Sequence, residues 1–139
     1  MEIVSDRLHV NTKKSGDLIN ITSKVAGALS KSGLKDGNVT VFVIGSTAAI
    51  TTFEYEPGMI QDVHDLCEKL IPSNRDYRHE ETWGDANGFS HLRATLFGQS
   101  LVIPFQGGRL ALGTWQQVVL AEFDTRPRKR EIVIQLIGE

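Results

Sequence analysis

A Gly107-Gly108 pair between two β-rich runs constrains the fold of this chain more than any other feature of its sequence. Both central residues of the tightest hairpin turns need positive φ angles, which glycine adopts without strain. The first run is residues 100–105, and the second extends over residues 110–123 with Leu, Val, Trp and Thr. The sequence therefore predicts a β-hairpin, with Gly113 marking a bulge or a close backbone approach in its second strand.

The remaining hydrophobic patterns predict three further strands and three helices. Residues 39–44 are apolar on both faces, which is typical of a central strand covered on both sides. Residues 3–10 and 132–137 are expected to form an opening and a closing strand. Helices are expected from residue 17 or 20 to 30, from 57 to 70 with His64 on its solvated face, and from 89 to 97. Residues 73–88 are polar and irregular, and a loop of this length is usually functional or disordered.

Length and charge exclude several classes of protein. The 139 residues fit one domain, and the formal net charge of −2 provides no general attraction to nucleic acid or to an anionic membrane. The single cysteine, Cys67, rules out an internal disulfide, and the helical pattern predicts that it is buried. No apolar run approaches transmembrane length, and from the acidic residues among the first seven we expect no secretory signal. We expect a soluble cytoplasmic protein with neither a membrane nor a nucleic-acid partner.

A stretch of small and hydroxyl residues follows the predicted central strand. Gly45, Ser46 and Thr47 open this stretch, and such a sequence lets backbone amides and hydroxyls approach an anionic ligand. It is not a P-loop, because the glycine-lysine-serine/threonine end is missing. An equally good interpretation is a small-residue strand packed tightly against a neighbour.

Histidines and carboxylates cluster around the polar loop. His79 and His91 flank a segment with Glu80, Glu81, Asp85 and Asn87, and the ends of one loop can fold back on one point. Two histidines with a carboxylate or water suit Zn²⁺ or another divalent metal. A second interpretation is acid–base catalysis by one histidine near neutral pH. The spacing matches no short metal motif, so on spacing alone two unrelated surface histidines are favoured.

A basic run lies near the end of the chain. Residues 126–130 contain four cations, including Arg128 and Arg130, and would attract phosphate. A charged turn between two strands explains the same residues. The run is too short to predict nucleic-acid binding in a chain that is acidic overall.

These segments together resemble the YjbQ-like family, whose members are often labelled secondary thiamine-phosphate synthase. The resemblance rests on the Leu-Gly-Thr-Trp-Gln sequence at 112–116, on residues 122–124 and on Arg130 with the closing strand. Residues 46–51, 77–79, 90–92 and 98–101 agree in the same order, so the resemblance covers nearly the whole chain. One position departs from the family pattern: Gly45 stands where many members have a histidine, which removes one possible metal ligand.

The resemblance implies the following fold, activity and site. The fold is one α+β domain over residues 1–139, with a large, mainly antiparallel sheet and a few helices, assembling as a homotrimer. The activity is that of a transferase acting on a small phosphorylated molecule with a divalent metal, Zn²⁺ or Mg²⁺, although the aspartate-rich diphosphate site of a dedicated enzyme is missing. The alternative is a non-catalytic metal- or ligand-binding trimer. The implied site comprises His79 and His91 as catalytic residues and metal ligands, Asn87 and Glu122 as further catalytic residues, and Ser46, Thr47, Ser100, Thr114, Gln116 and Arg128 as substrate- or anion-binding residues.

Overall fold

The computed structural model describes residues 1–139 and contains eight strands and four helices. The strands are β1 (Glu2–Asn11), β2 (Leu18–Asn20), β3 (Gly37–Ile44), β4 (Ala48–Phe53), β5 (Ser100–Gln106), β6 (Arg109–Leu110), β7 (Gln117–Glu122) and β8 (Lys129–Gly138). The helices are α1 (Thr22–Ser32), α2 (Pro57–Leu70), α3 (His79–Thr82) and α4 (Gly88–Phe97). The α+β class implied by the resemblance is confirmed. None of the helices is long and apolar enough to span a bilayer.

Five strands form the larger sheet, in the order β1-β8-β3-β5-β6 and antiparallel throughout. The prediction that residues 39–44 form a central strand is confirmed, because β3 pairs with both β8 and β5. The prediction of cover on both sides is wrong: Val39, Val41 and Val43 are buried, but Phe42 and Ile44 are 42% and 43% exposed. An apolar pattern on both faces of a strand does not show whether the layer that packs on the second face belongs to the same chain.

The smaller sheet, β2-β7-β4, packs between the larger sheet and two helices. Ile50 and Leu120 on one face join the buried residues of the larger sheet, together with Leu29 of α1. Ala49 and Val119 on the other face contact the buried sides of α2 and α4. Each face of the small sheet is therefore apolar, and the strands that carry Thr47, Glu122 and Asp124 at their ends are fixed by packing on both sides.

The predicted hairpin is confirmed, but its second strand is much shorter than expected. Gly107 and Gly108 have φ angles of 58° and 75° and connect β5 to β6. The chain then leaves the sheet for residues 111–116, where the Gln116 amide nitrogen donates to the Gly113 carbonyl at 3.0 Å. The Gln116 side chain accepts from the Gly113 amide at 3.1 Å. These two bonds close a turn, which leaves Trp115 71% exposed.

Local capping explains where the helices begin. The Glu56 carboxylate accepts hydrogen bonds from the amides of Gly58 and Met59, and Pro57 occupies the first turn of α2. Helix α1 begins at Thr22 rather than at residue 17 or 20, because Leu18–Asn20 form β2; the Asn20 side chain accepts from the Thr22 amide at 3.0 Å. Strand β2 and helix α3 are absent from the predictions, because three- and four-residue elements have too few positions to show a period.

Candidate active site

The polar loop between α2 and α4 is folded back on itself by Glu80. The Glu80 carboxylate accepts hydrogen bonds from the amide of Tyr77 at 2.6 Å and from the amide of Gly88 at 2.7 Å. The hydrogen bond from Tyr77, with that from Gly88 and the adjacent His79, lowers the pKa of Glu80 below its ordinary value, although desolvation opposes the change. One carboxylate thus joins the start of α3 to the start of α4.

This folding brings the two predicted histidines together. The ring centroids of His79 and His91 lie 4.4 Å apart, with 35° between the ring planes. His79 Nδ1 lies 3.3 Å from Asp85 Oδ1 and 3.7 Å from Glu80 Oε1. One ligand atom from each of His79, Glu80 and Asp85 falls within 4.8 Å of the others. We call these three residues, with His91, the His79 cluster.

The donor set of the His79 cluster fits a divalent cation. Imidazole nitrogen with carboxylate oxygens suits Zn²⁺, and carboxylate oxygens with waters suit Mg²⁺. Asp85 is half-exposed, and in the favoured orientation of the Asn87 amide its two oxygens accept from the Asn87 nitrogen at 2.9 and 3.2 Å. Each oxygen of Glu80 takes one amide hydrogen bond and keeps a second lone pair. The oxygens of Asp85 likewise keep a second lone pair, so His79, Glu80 and Asp85 can each supply one ligand atom.

An open cavity of about 910 Å³ adjoins the cluster. Two arginines line it, and the guanidinium of Arg75 stacks over the Tyr77 ring at 4.6 Å. Arg78, the second arginine, precedes His79 directly. Stacked guanidinium groups keep their in-plane N–H groups free, and those groups match phosphate oxygens. The lining also contains the carboxylates of Asp76, Glu80 and Glu81 and the imidazoles of His79 and His91.

A buried ionic network lies behind the cluster. Arg130 and Glu122 form an ion pair through Nη2 and Oε2, and their side chains are 2% and 0% exposed. Arg130 Nε donates to Glu122 Oε1 at 2.9 Å, and Nη2 donates to Thr47 Oγ1 at 2.7 Å. Thr12 Oγ1 donates to Glu122 Oε1 at 2.6 Å. The Glu122 oxygens are thus hydrogen-bonded to buried groups, and Glu122 does not line the cavity.

Asp124 connects this network towards the cavity. It accepts from Thr47 Oγ1 at 3.1 Å and from Arg128 Nη1 at 2.8 Å. Asn87 donates to Asp124 Oδ1 at 3.4 Å, and with its amide turned over it donates to Asp85 at 2.9 Å instead. Burial acts to raise the pKa of Asp124, but the hydrogen bonds from Thr125, Asn87 and Thr47 and the charge of Arg128 outweigh it, so the pKa is lowered.

The structure explains the glycine that departs from the family pattern. Gly45 has a φ of +142°, and a Cβ atom there would lie 2.8 Å from Arg130 Nη1. The guanidinium of Arg130 therefore occupies the space that a larger side chain at residue 45 would need. No histidine at this position is compatible with the Arg130 arrangement found here.

Four of the implied substrate-binding residues are not among those that line the cavity beside the His79 cluster. Ser46 is exposed in the bend before β4, and Ser100 is exposed where β5 begins. Gln116 Nε2 donates to Thr52 Oγ1 at 3.3 Å, and Thr52 lies about 13 Å along β4 from Ala48, which pairs with Glu122. Thr114 lies in the same exposed turn as Gln116. Thr47 and Arg128, by contrast, join the network around Asp124, and the roles assigned to all six residues stay predictions.

With this geometry in place, comparison with known proteins identifies the family. The sequence model of the family described as UPF0047 protein YjbQ-like matches residues 6–139. The chain belongs to this family. A UPF0047 protein of Methanothermobacter thermautotrophicus is 38% identical over 139 residues, covering 100% of this chain and 95% of that protein. A UPF0047 protein of Archaeoglobus fulgidus is 37% identical over 130 residues, covering 94% and 98%.

Solved structures of YjbQ-like proteins have the same fold. A YbjQ-like protein of unknown function from Sulfolobus solfataricus P2 superposes with a TM-score of 0.94 at 34% identity, covering 99% of both chains. A hypothetical protein from Aeropyrum pernix K1 gives a TM-score of 0.86 at 33% identity, covering 100% of both chains. The comparisons therefore establish the family and the fold, and the names of these relatives state no activity.

Proposed function

We propose that this YjbQ-like protein is an enzyme that acts on a small phosphorylated substrate beside a divalent cation held by the His79 cluster. The observation that carries the proposal is the placement of an imidazole nitrogen and two carboxylate oxygens within 4.8 Å of one another, in a cavity that Arg75 and Arg78 also line. Enzymes that transfer groups from phosphorylated substrates combine metal ligands and phosphate-binding cations in one cavity.

Each part of the cavity has a task in this proposal. Arg75 and Arg78 bind the phosphate groups of the substrate, and His79 and Asp85 hold the cation. When bound, the cation supplies neutralisation of charge that develops on a phosphorylated leaving group. His91, in contact with the His79 ring, is placed to transfer a proton or to add a ligand.

A thiamine-phosphate synthase-like transfer is the candidate reaction. In that reaction a thiazole nitrogen forms a bond to the methylene carbon of a pyrimidine diphosphate, the C–O bond to the diphosphate breaks, and pyrophosphate leaves. The two arginines suit the diphosphate, and the volume of about 910 Å³ accommodates two small heterocyclic substrates.

A homotrimer belongs to the same proposal. The exposed side chains Phe42 and Ile44 provide an apolar area on the open face of the larger sheet, and Trp115 projects from its turn. Apolar area of this kind is characteristic of protein interfaces. Sedimentation equilibrium tests the trimer directly, since a monomer at all concentrations would contradict it.

Metal analysis separates the proposed function from its rival. We expect wild-type protein purified without a histidine tag to hold about one divalent ion per chain, and His79→Ala to hold none. His9→Ala removes an exposed histidine of β1 outside the cavity and serves as the matched control with unchanged metal content. Metal retained by His79→Ala would refute the His79 cluster as the metal site.

Turnover decides between an enzyme and a non-catalytic binding protein. Wild-type protein is given phosphorylated substrates, including the pyrimidine diphosphate and thiazole phosphate pair, and release of pyrophosphate or phosphate is measured. We expect metal-dependent release that His79→Ala abolishes and His9→Ala retains. Stoichiometric metal binding without consumption of any substrate would favour the non-catalytic alternative.

A further inference from the structure

A second cavity, of about 420 Å³, lies on the other side of α4 from the His79 cluster. Residues 88, 91 and 92 of α4 line the first cavity, whereas Phe89 and Arg93 line the second. The remaining walls come from α2, through His64 and Glu68, and from the turn that contains Lys14. No residue lines both cavities, so the second is separate from the proposed active site.

Arg93 is a fixed cation in the wall of this cavity. It is 5% exposed, its Nε and Nη2 atoms donate to the Ile71 carbonyl at 3.1 and 2.8 Å, and Nη2 also donates to Glu68 at 2.7 Å. Nη1 donates to no protein group, and it is not among the fully enclosed atoms without a partner, of which Ser90 Oγ is the only one. The guanidinium lies over the Phe89 ring at 4.9 Å, and both residues line this cavity.

Lys14 and His64 also line this cavity. Lys14 lines the cavity, and its ammonium group forms no ion pair. His64 Nε2 lies 2.7 Å from the Gly16 carbonyl, which makes Nε2 the protonated nitrogen. The sequence-based expectation that His64 is a solvated helix residue is wrong, because Gly16, with a φ of +89°, lets the turn approach the imidazole closely.

Glu68 is the one carboxylate among the lining residues, and its oxygens are already engaged. Oε1 accepts from Arg93 Nη2 and from Ser73 Oγ at 2.7 Å, and Oε2 accepts from the Ser73 amide at 3.3 Å. The hydrogen bond from Arg93 has the largest effect on the pKa of Glu68 and, with those from Ser73, lowers it. With Lys14, Arg93 and Glu68 ionised, the lining keeps one net positive charge, and the unused donors belong to the two cations.

We propose that this second cavity binds a small oxyanion, a phosphate or carboxylate group held between the free Nη1 edge of Arg93 and the ammonium of Lys14. A preformed guanidinium edge gives directional hydrogen bonds to an oxyanion, and the lysine adds a mobile charge at the mouth. The site needs no metal and does not depend on the proposed function.

The test is a titration of the full chain with inorganic phosphate at constant ionic strength, followed by backbone and arginine Nε NMR signals. We expect saturable shifts at Ser15, Gly16, Ser73 and Arg93. Lys14→Glu should raise the Kd for phosphate at least about tenfold, since charge reversal at contact distance is worth about 1.4 kcal/mol or more. Lys13→Glu makes the same charge change one residue away, outside the cavity lining, and should alter the Kd less than about twofold.

Two further variants complete the test. Arg93→Lys keeps the charge but removes the free N–H pair and should also weaken binding; if it fails to fold, the comparison of Lys14→Glu with Lys13→Glu still decides. His79→Ala should leave these shifts unchanged, because it lies in the other cavity. Absence of saturable shifts, equal weakening by Lys14→Glu and Lys13→Glu, or shifts confined to the first cavity would each overturn the proposal.

Discussion

Replacement of Arg130 by methionine is the sharpest test of the buried network. Methionine keeps most of the aliphatic volume and removes the guanidinium, so the main change is the loss of charge and of hydrogen bonds. Glu122 would then stay fully buried with only Thr12 and the Asp124 amide as donors. Removing one partner of a buried ion pair typically costs 3–5 kcal/mol. For Arg130→Met we expect a loss of about 4 kcal/mol in the free energy of unfolding, or about 12–16 °C in Tm.

The assay is urea unfolding followed by far-UV circular dichroism, at one protein concentration for all variants because assembly couples to stability. The double variant Glu122→Gln/Arg130→Met removes both charges and should recover about 2 kcal/mol of the loss, since an amide in that place is far less costly to bury than an unpaired carboxylate. If Arg130→Met costs under about 1 kcal/mol, or the double variant is no more stable than the single one, the uncompensated charge is not what destabilises the protein.

Three further predictions follow from the same structure. Because the folded protein lowers the pKa of Asp124 from 3.8, its carboxylate stabilises the fold above that value and loses the effect as the pH falls through the folded pKa. The stability difference between wild type and Asp124→Asn should therefore shrink from about pH 5 to pH 3, and a constant difference would contradict this reasoning. Glu80→Gln weakens the loop closure, so amide exchange should accelerate at Tyr77 and Gly88, whereas Glu81→Gln should leave both rates unchanged. Gly107→Ala places a side chain at a φ of 58° with open space around it and should cost about 1 kcal/mol in urea unfolding; an unchanged stability would show that the turn relaxes.

The local sequence was sufficient where the structure depends on short-range chemistry. The two glycines of the hairpin need positive φ, and residues 39–44 form a central strand. It was insufficient where the outcome depends on a distant partner. Residues 111–116 have strand-like composition, yet Gln116 closes a turn on Gly113 and ends the pairing. The alternation of apolar and polar residues in a segment does not specify which other strand pairs with that segment.

The candidate site shows the same division. The convergence of His79 and His91 is implicit in their position at the two ends of one loop, and the structure brings their rings together. The burial of Glu122 has no local signal, because it depends on Arg130 reaching across from the neighbouring sheet. The space over Gly45 that admits the guanidinium exists only once β3 and β8 are paired in register. Catalytic roles for these residues stay predictions.

The position of β8 determines the order in which the larger sheet can assemble. This strand is the last in the chain but lies between β1 and β3, pairing Glu2 with Gly138. During synthesis β1 and β3 are made before β8, and the edges of these two strands that pair with β8 stay without a partner until residues 129–138 have been added. The sheet therefore closes late, through contacts between the most distant parts of the sequence, and such topologies fold slowly. Until then the buried valines of β3 stay open to aggregation, so we expect the nascent chain to depend on chaperones more than a helical protein of equal length.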